Sequence, residues 1–162
     1  MNLVLTRIDN RLIHGQVLEA WIPTIKANCI VVANNKIANS AMQKLLMEAS
    51  VPKGIRVIIV SLDKLGEVLD SEELTNARIL LLFATSGDAL MANRQGVQYK
   101  KLNLGNMHAG AGKVKCSCTI ALDEDDVENL MNLERAGIKI SSQCVPSDKE
   151  VSWHKMLKIT RN

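Results

Sequence analysis

The chain has 162 residues, of which 47% are hydrophobic, 23% are charged and only 2% are aromatic. This length predicts one domain, spanning residues 1–162, and the composition is typical of a globular protein. The scarcity of aromatic residues argues against a nucleic-acid partner, because single-stranded nucleic acid is commonly bound by stacking its bases on aromatic rings. The net charge of +3 is compatible with an acidic protein partner or an anionic membrane surface but requires neither.

No apolar run approaches the ~20 residues that a membrane-spanning helix needs, and the N-terminal residues do not resemble a signal peptide. We therefore expect a cytoplasmic protein. The chain has four cysteines and no C-x-x-C pair, so we expect reduced and buried thiols and neither a metal nor a cofactor. A zinc site that combines cysteines with His108 is the alternative, although the ligand spacing usual for zinc is missing. The cysteines are Cys29, Cys116, Cys118 and Cys144.

Strand and helix patterns alternate along the whole chain. Strands are predicted at residues 3–8, 29–33, 57–60, 79–83, 98–104, 119–122 and 138–140. The uninterrupted apolar run 29–33 is typical of a strand buried on both faces of a parallel sheet, and the still more apolar run 79–83 is predicted to be central. The sequence therefore predicts a single-domain α/β fold with an open, doubly wound, mostly parallel sheet of six or seven strands flanked by helices.

Helix signals lie between the predicted strands. Asn39 or Ser40 is expected to cap a helix whose apolar face, including Leu45 and Leu46, packs on the sheet. Asp123 begins a run of four acidic residues that suggests a metal cluster at first sight. We favour a helix cap, because the acids after it would meet the positive end of the helix. A final packing helix is predicted from residue 147 or 148.

The residues between the first strand and the first helix carry the reactive groups. In an open α/β sheet, ligands bind at the carboxyl ends of the strands, and His14 lies at such an end. Imidazole is a nucleophile near neutral pH, since its unperturbed pKa is about 6.5. Arg11 is close enough in a tight turn to grip phosphate oxygens, and Asp9 can orient either side chain.

The first helix is predicted to start at Gly15 or Gln16 and to bend or end at Pro23. Gly15 allows the backbone to approach closely, and the N–H groups at a helix start attract an anion. Such a site could accept and pass on a phosphoryl group by positioning and charge alone.

A second polar loop follows the strand at 79–83. Thr85 or Ser86 could hold phosphate there, or Ser86 could simply cap the next helix. The glycine-rich residues 105–112 do not form a phosphate-binding P-loop, because that motif requires glycine at Met107. His108 is expected to be a surface histidine, with an approach to the reactive loop as the alternative.

Residues 8–17, I-D-N-R-L-I-H-G-Q-V, closely resemble the D-x-R-L-I-H-G-Q-V segment of a known family. These are the enzyme IIB subunits of the mannose/fructose/sorbose/N-acetylgalactosamine group of the bacterial sugar phosphotransferase system (PTS). The resemblance covers nearly the whole chain in length and element order, and it recurs at 81–83 with Asp88 and at 103–108. In many relatives the second loop resembles F-x-N-P-x-D, whereas Gly87 stands here where proline is common.

The resemblance implies a phosphotransferase in which His14 forms a phosphohistidine intermediate at Nδ1, with Arg11 and Asp9 as catalytic residues. It implies enzyme IIA as the phosphoryl donor, a sugar as the acceptor, and the membrane subunits IIC and IID as partners at the inner face of the membrane. The identity of the sugar and any homo-oligomer are left open. Supporting or phosphate-binding roles fall to Arg7, Asn10, Gly15, Gln16, Thr85 and Ser86.

Three other readings are compatible with the sequence. The chain could be a non-catalytic α/β module that senses a phosphorylated metabolite in the same anion pocket. It could also be a regulatory IIB protein that keeps the transfer chemistry without coupling it to transport. His14 could finally be a structural histidine at a strand end, although the flanking motif argues against this.

Overall fold

The computed structural model describes residues 1–161, which form one seven-stranded sheet and a separate two-stranded pair. The main sheet has the order β3-β2-β4-β1-β5-β8-β9, parallel from β3 to β8, with β9 antiparallel at one edge. This confirms the predicted open, mostly parallel α/β sheet. The strands are β1 (Asn2–Asp9), β2 (Cys29–Ala33), β3 (Arg56–Val60), β4 (Arg78–Phe83), β5 (Lys101–Asn106), β6 (Val114–Lys115), β7 (Ala121–Leu122), β8 (Lys139–Ser142) and β9 (Val151–Ser152).

Helices cover both faces of this sheet. Successive side chains of a strand point to opposite faces, and in β2 the residues Ile30 and Val32 join one apolar cluster while Val31 and Ala33 join another. A π-helical turn (Val17–Trp21) and two short 3-10 turns (Leu62–Lys64 and Glu72–Leu74) accompany the α-helices. These are α1 (Ile22–Ile25), α2 (Asn35–Ala38), α3 (Ala41–Ala49), α4 (Leu65–Leu69), α5 (Ser86–Arg94), α6 (Glu124–Arg135) and α7 (His154–Thr160).

The central strand is β1, not β4 as predicted. β1 pairs in parallel with β4 on one side and β5 on the other. An apolar run indicates that a strand is buried. β2 and β4 are both buried, so their apolar sequences do not reveal which strand lies in the middle of the sheet. The consequence is that the loop after β1 is flanked by strand ends on both sides.

Helix α3 begins as predicted, but the apolar face that was predicted to be buried is exposed. The Ser40 hydroxyl accepts a hydrogen bond from the Gln43 N–H at 3.3 Å, which confirms the cap. Leu45 and Leu46, predicted to pack on the sheet, are 66% and 65% exposed. α3 packs against α2, which contacts the edge strand β3, and Met47 makes the contact of α3 with the apolar cluster on that face.

Two other predicted elements differ in the structure. The predicted strand 119–122 shortens to β7, which pairs with β6 outside the main sheet. The final helix starts at His154 rather than at residue 147 or 148, because the Gln143 amide donates to the carbonyls of Pro146 and Asp148 and holds that segment as a loop.

The cysteines are all free, but only Cys29 is buried. Cys116 and Cys144 are half-buried, and Cys118 is exposed, so the prediction of buried thiols is wrong for it. The reason is that the chain bends over residues 117–119 instead of continuing as a strand. Among residues 1–161, no helix is long and apolar enough to cross a membrane.

Candidate active site

The loop after β1 is anchored by two apolar side chains. Leu12 and Ile13 are buried against the cluster beneath the first helix, and the Leu12 N–H closes a turn onto the Asp9 carbonyl at 2.9 Å. Leu12 has a φ of 59°, a left-handed conformation that is costly for a branched residue. Burial of Leu12 and Ile13 offsets that strain, and the next residue, His14, is thereby held at the rim of the sheet.

Both ring nitrogens of His14 have partners, and the partners define the tautomer. Nε2 lies 2.7 Å from Oδ2 of Asp9, and Nδ1 contacts Nη2 of Arg11. An ionised carboxylate can only accept a hydrogen bond, and a guanidinium can only donate one. The contacts therefore correspond to a neutral imidazole with its proton on Nε2 and a lone pair on Nδ1.

The Nδ1 side of the ring faces Arg11. The His14 side chain is 11% exposed, and Arg11 beyond it is an exposed residue. Gly15, which follows, is also exposed, and a Cβ built there would meet no atom within 4 Å. Asp9 therefore holds the Nε2 side of the ring, while the exposed residues Arg11 and Gly15 lie at the surface next to the partly exposed His14.

Asp9 is the buried acceptor at the centre of the site. Its Oδ2 receives hydrogen bonds from His14, from the Asn106 amide at 2.9 Å and from the Arg7 guanidinium, and its Oδ1 receives the Arg11 backbone N–H at 3.0 Å. Burial raises the pKa of the Asp9 carboxyl, but the bonds from His14 and Asn106 and the charge of Arg7 outweigh this and hold the pKa below its usual value. Asp9 is therefore ionised when it meets the ring.

Arg7 lies directly behind Asp9 and is fully buried. Its Nε and Nη2 bond to Asp9 Oδ2 at 3.2 and 3.1 Å, and Nη1 bonds to Asn103 Oδ1 at 2.6 Å. The remaining hydrogens go to the carbonyls of Gln143 and Cys144 at 3.0 and 3.1 Å. These five hydrogen bonds to four acceptor atoms use all five guanidinium N–H groups, so Arg7 has no donor to offer a phosphate.

Comparison with known proteins identifies the family of this chain. Residues 3–162 match the family described as "PTS system sorbose subfamily IIB component". The chain belongs to this family.

Individual relatives match over nearly their full lengths. The N-acetylgalactosamine-specific phosphotransferase enzyme IIB component 2 of Escherichia coli K12 is 37% identical over 158 residues, covering 96% of this chain and 99% of that protein. The sorbose-specific EIIB component of Klebsiella pneumoniae is 34% identical over 152 residues, covering 94% and 93%. The crystal structure of the IIBSor domain of the sorbose permease from Klebsiella pneumoniae has a TM-score of 0.91 at 32% identity, covering 98% of this chain and 97% of that one. This protein is thus an IIB component in the sugar phosphotransferase family.

The IIB component brings three further predicted residues to the same edge. The Asn10 N–H donates to the Asn106 carbonyl at 2.9 Å, which ties the reactive loop to the end of β5. Gln16 Oε1 accepts from the Asn106 amide at 3.4 Å, in the first turn of the helix that starts at Gly15 as predicted. Asn10 and Gln16 therefore bind neighbouring protein groups, whereas Gly15 stays open to the surface.

Thr85 and Ser86 lie in different environments in the structure. Thr85 is exposed and caps α5 by accepting from the Asp88 N–H at 3.1 Å. Ser86 is 1% exposed and donates to Asp126 at 2.7 Å, with the Asn129 amide donating to it at 3.1 Å. The idea that Ser86 caps the helix is therefore wrong, and its hydroxyl is sealed away from any phosphate.

The acidic run at the start of α6 is a capping box, as predicted. The Asp123 side chain accepts from the Asp126 N–H at 2.8 Å, and Asp126 accepts from the Asp123 N–H at 3.2 Å. Asp126 also binds Lys113 at 3.1 Å. His108 is exposed on the glycine-rich loop, which confirms the surface assignment.

Sequence reasoning gave no role to the partners that complete the site of this IIB component. Asn103 and Asn106 lie on a buried strand, where amide side chains are rare unless they are hydrogen-bonded. That placement is a signal in the sequence, although it does not reveal the partner. Gln143 and Cys144 act through backbone carbonyls, which no side-chain pattern could have indicated.

Proposed function

We propose that this IIB component is a phosphohistidine carrier. Nδ1 of His14 accepts a phosphoryl group from a histidine of enzyme IIA and passes it to a sugar hydroxyl during uptake through IIC and IID. The observation that carries the proposal is the hydrogen bond from His14 Nε2 to Asp9, which leaves the lone pair on Nδ1, the ring nitrogen that contacts the exposed Arg11. The proposal is also supported by the phosphotransferase names of the relatives.

The two transfers are in-line displacements at phosphorus. In the first, the Nδ1 lone pair attacks the phosphorus while the P–N bond to the donor histidine breaks and returns its electrons to that ring. In the second, the sugar hydroxyl oxygen attacks the phosphorus and releases its proton to water, while the bond from phosphorus to His14 Nδ1 breaks and returns its electrons to the His14 ring. The proton on Nε2 stays on the ring throughout, held by Asp9, so His14 needs no proton transfer of its own to react.

Arg11 supplies the charge for both transfers. Its guanidinium meets Nδ1 in the resting site, at the place where the phosphoryl oxygens would lie after transfer. A planar guanidinium can bind two phosphate oxygens at once and stabilise the charge that they share in the transition state. One exposed arginine holds the group without trapping it, which suits a carrier that must release what it binds.

This function requires the protein to dock with the phosphoryl donor in the first transfer and with the membrane subunits in the second. The protein would work in the cytoplasm, meeting enzyme IIA there and the membrane subunits at the inner face of the membrane. His14, Arg11 and Gly15 share one rim of the sheet, so each partner would bind at that rim in turn.

The test uses labelled phosphoenolpyruvate and the upstream carriers. The wild-type protein is expected to acquire an acid-labile, base-stable label, and His14→Ala is expected to acquire none. The other two histidines of the chain provide matched controls, since His108→Ala and His154→Ala should both retain the label. Reversible phosphate binding by the wild type without any covalent label would contradict the proposal and favour a sensor.

A further inference from the structure

Among residues 1–161, Arg7 is the one charged side chain in the group of the largest fully buried residues, and Asp9 is its one ion-pair partner. Burial lowers the pKa of the Arg7 guanidinium, while Asp9 opposes this. Such a pair is rarely a source of net stability, because removing two charges from water costs about as much as their attraction returns. The arrangement therefore calls for a reason other than stability.

We propose that Arg7 is a positioning residue, which holds Asp9 and thereby the His14 ring in the tautomer and orientation needed for transfer. The inference rests on the proposed function and deepens it. Arg7 does not touch the reacting atoms, and it acts through the carboxylate that binds His14 Nε2. It belongs to the site as a support, not as a phosphate ligand.

The neighbouring backbone is shaped around this guanidinium. Gly105 lies on the adjacent strand β5, at the register shift between Leu104 and Asn106, and a Cβ built on Gly105 would collide with the guanidinium carbon and nitrogens of Arg7. Glycine is thus required at this position by a close approach, although its φ is not in the left-handed region. The presence of glycine at the first position of the G-N-M-H segment is therefore explained by the space that the Arg7 side chain needs.

Trp21 also packs against the Arg7 guanidinium. The Arg7 guanidinium carbon lies 5.2 Å from the centroid of the Trp21 ring, a distance suited to a cation–π contact. Trp21 Nε1 donates to the Cys144 carbonyl at 2.9 Å, the same carbonyl that accepts from Arg7. Trp21 is the last residue of the π-helical turn, a local irregularity that often occurs at functional sites.

These contacts fix three segments to one group. Arg7 joins Asp9 of the reactive loop, Asn103 on β5, and the Gln143–Cys144 carbonyls after β8. If the guanidinium is displaced, Asp9 loses its charged partner and is free to rotate away from His14. The imidazole would then lose the acceptor that keeps its proton on Nε2, and Nδ1 would be protonated in part of the population.

The experiment compares Gly105→Ala, Arg7→Lys and Leu133→Ala with the wild type. Leu133→Ala is the control for loss of stability, because it removes a fully buried side chain in the cluster on α6. The measurements are the ¹⁵N chemical shifts of the His14 ring in the unphosphorylated protein, and the rate of phosphoryl acceptance at saturating donor. We expect the wild type and Leu133→Ala to show the Nε2–H tautomer and similar rates.

Gly105→Ala and Arg7→Lys are expected to show a tautomer mixture and rates lower by about 100-fold, since small misplacements of a reacting group have effects of that size. The donor concentration that gives half the maximal rate should hardly change. Folded Gly105→Ala and Arg7→Lys with the wild-type tautomer and rate would overturn the inference, as would an equal change in Leu133→Ala. If Arg7→Lys does not fold, Gly105→Ala decides, because it keeps every ionisable group.

Failure of the proposed function gives a different result. In that case the wild type acquires no phosphoryl group, while the tautomer of His14 in the four proteins still reports whether Arg7 positions it. An unchanged tautomer in Gly105→Ala would then reject the positioning role by itself.

Discussion

Nε2 of His14 lies 2.7 Å from Oδ2 of Asp9, a carboxylate that is fully buried and ionised. This contact assigns the ring proton to Nε2 and the lone pair to Nδ1. The same nitrogen is the one implied by resemblance to other IIB subunits, so two independent arguments agree on it. The distance also indicates that the Asp9 side chain orients His14. From the sequence alone, Asp9 could have oriented either the histidine or the arginine.

Replacing Arg11 by alanine is expected to slow phosphoryl transfer by about 100-fold or more, since it removes the charge that faces the transferred group. The side chain is exposed, so the free energy of unfolding should change by less than about 0.5 kcal/mol. Stopped-flow or quenched transfer kinetics and urea unfolding measure the two quantities. Arg11→Lys should recover only part of the rate, because it keeps the charge but loses the planar fork.

The matched control for Arg11 is Arg94→Ala, which removes an exposed arginine from the last turn of α5. Its transfer rate should equal that of the wild type. A folded Arg11→Ala protein with an unchanged rate would remove Arg11 from the mechanism.

The acid stability of the protein is expected to depend on Asp9. Burial raises its pKa, but hydrogen bonds from His14 and Asn106 and the charge of Arg7 lower it further. A carboxyl whose pKa is lower in the folded state stabilises the fold above its unfolded value of about 3.9, and this stabilisation is lost as the pH falls through the folded value. The contribution should therefore be complete from pH 5 to 7 and decline below about pH 4.

Urea unfolding of the wild type and Asp9→Asn between pH 2 and 7 tests this dependence. Asp9→Asn leaves the Arg7 charge buried without a partner. Its free energy of unfolding should therefore be lower than that of the wild type by about 3–5 kcal/mol at pH 7. The difference in the free energy of unfolding between the two proteins should become smaller as the pH falls below 4. A difference that stays constant over the whole range would show that Asp9 titrates as it does in the unfolded chain.

Ser86→Ala is expected to weaken the fold without affecting transfer. The Ser86 hydroxyl donates to Asp126 and accepts from Asn129, and its loss leaves these buried polar groups unsatisfied at a cost of about 1–3 kcal/mol. Thermal or urea unfolding measures that cost, and Ser147→Ala, at an exposed serine, serves as the control. A lower transfer rate in Ser86→Ala at wild-type stability would return Ser86 to the phosphate site.

The parts of the fold that follow local patterns could be predicted from the sequence. The apolar run of β2 has the predicted bounds, and Asp123 caps α6 as its flanking acids indicated. Exposure of a helix face could not be predicted in this way. The apolar residues of α3 form a stripe in the sequence whether or not another element covers them, and Leu45 is exposed in a helix that packs against α2 rather than across the sheet.

The site shows the same division. His14 and its neighbours are contiguous, so a motif reveals them, whereas the support for Asp9 comes from distant parts of the chain. A charged residue is expected at the surface by its type, so the sequence left the role of Arg7 open between phosphate binding and support and gave no sign of its burial. Its acceptors at Asn103, Gln143 and Cys144 come together only when β1, β5 and β8 are assembled.

The position of the phosphoryl group on the His14 ring is the most direct test of the account. The protein is labelled with ¹⁵N in its histidine rings and phosphorylated by the upstream carriers, and the ³¹P–¹⁵N couplings then identify the bonded nitrogen. We predict a phosphoryl group on Nδ1 of His14, with a proton still on Nε2. A phosphoryl group on Nε2, or on any residue other than His14, would contradict the account.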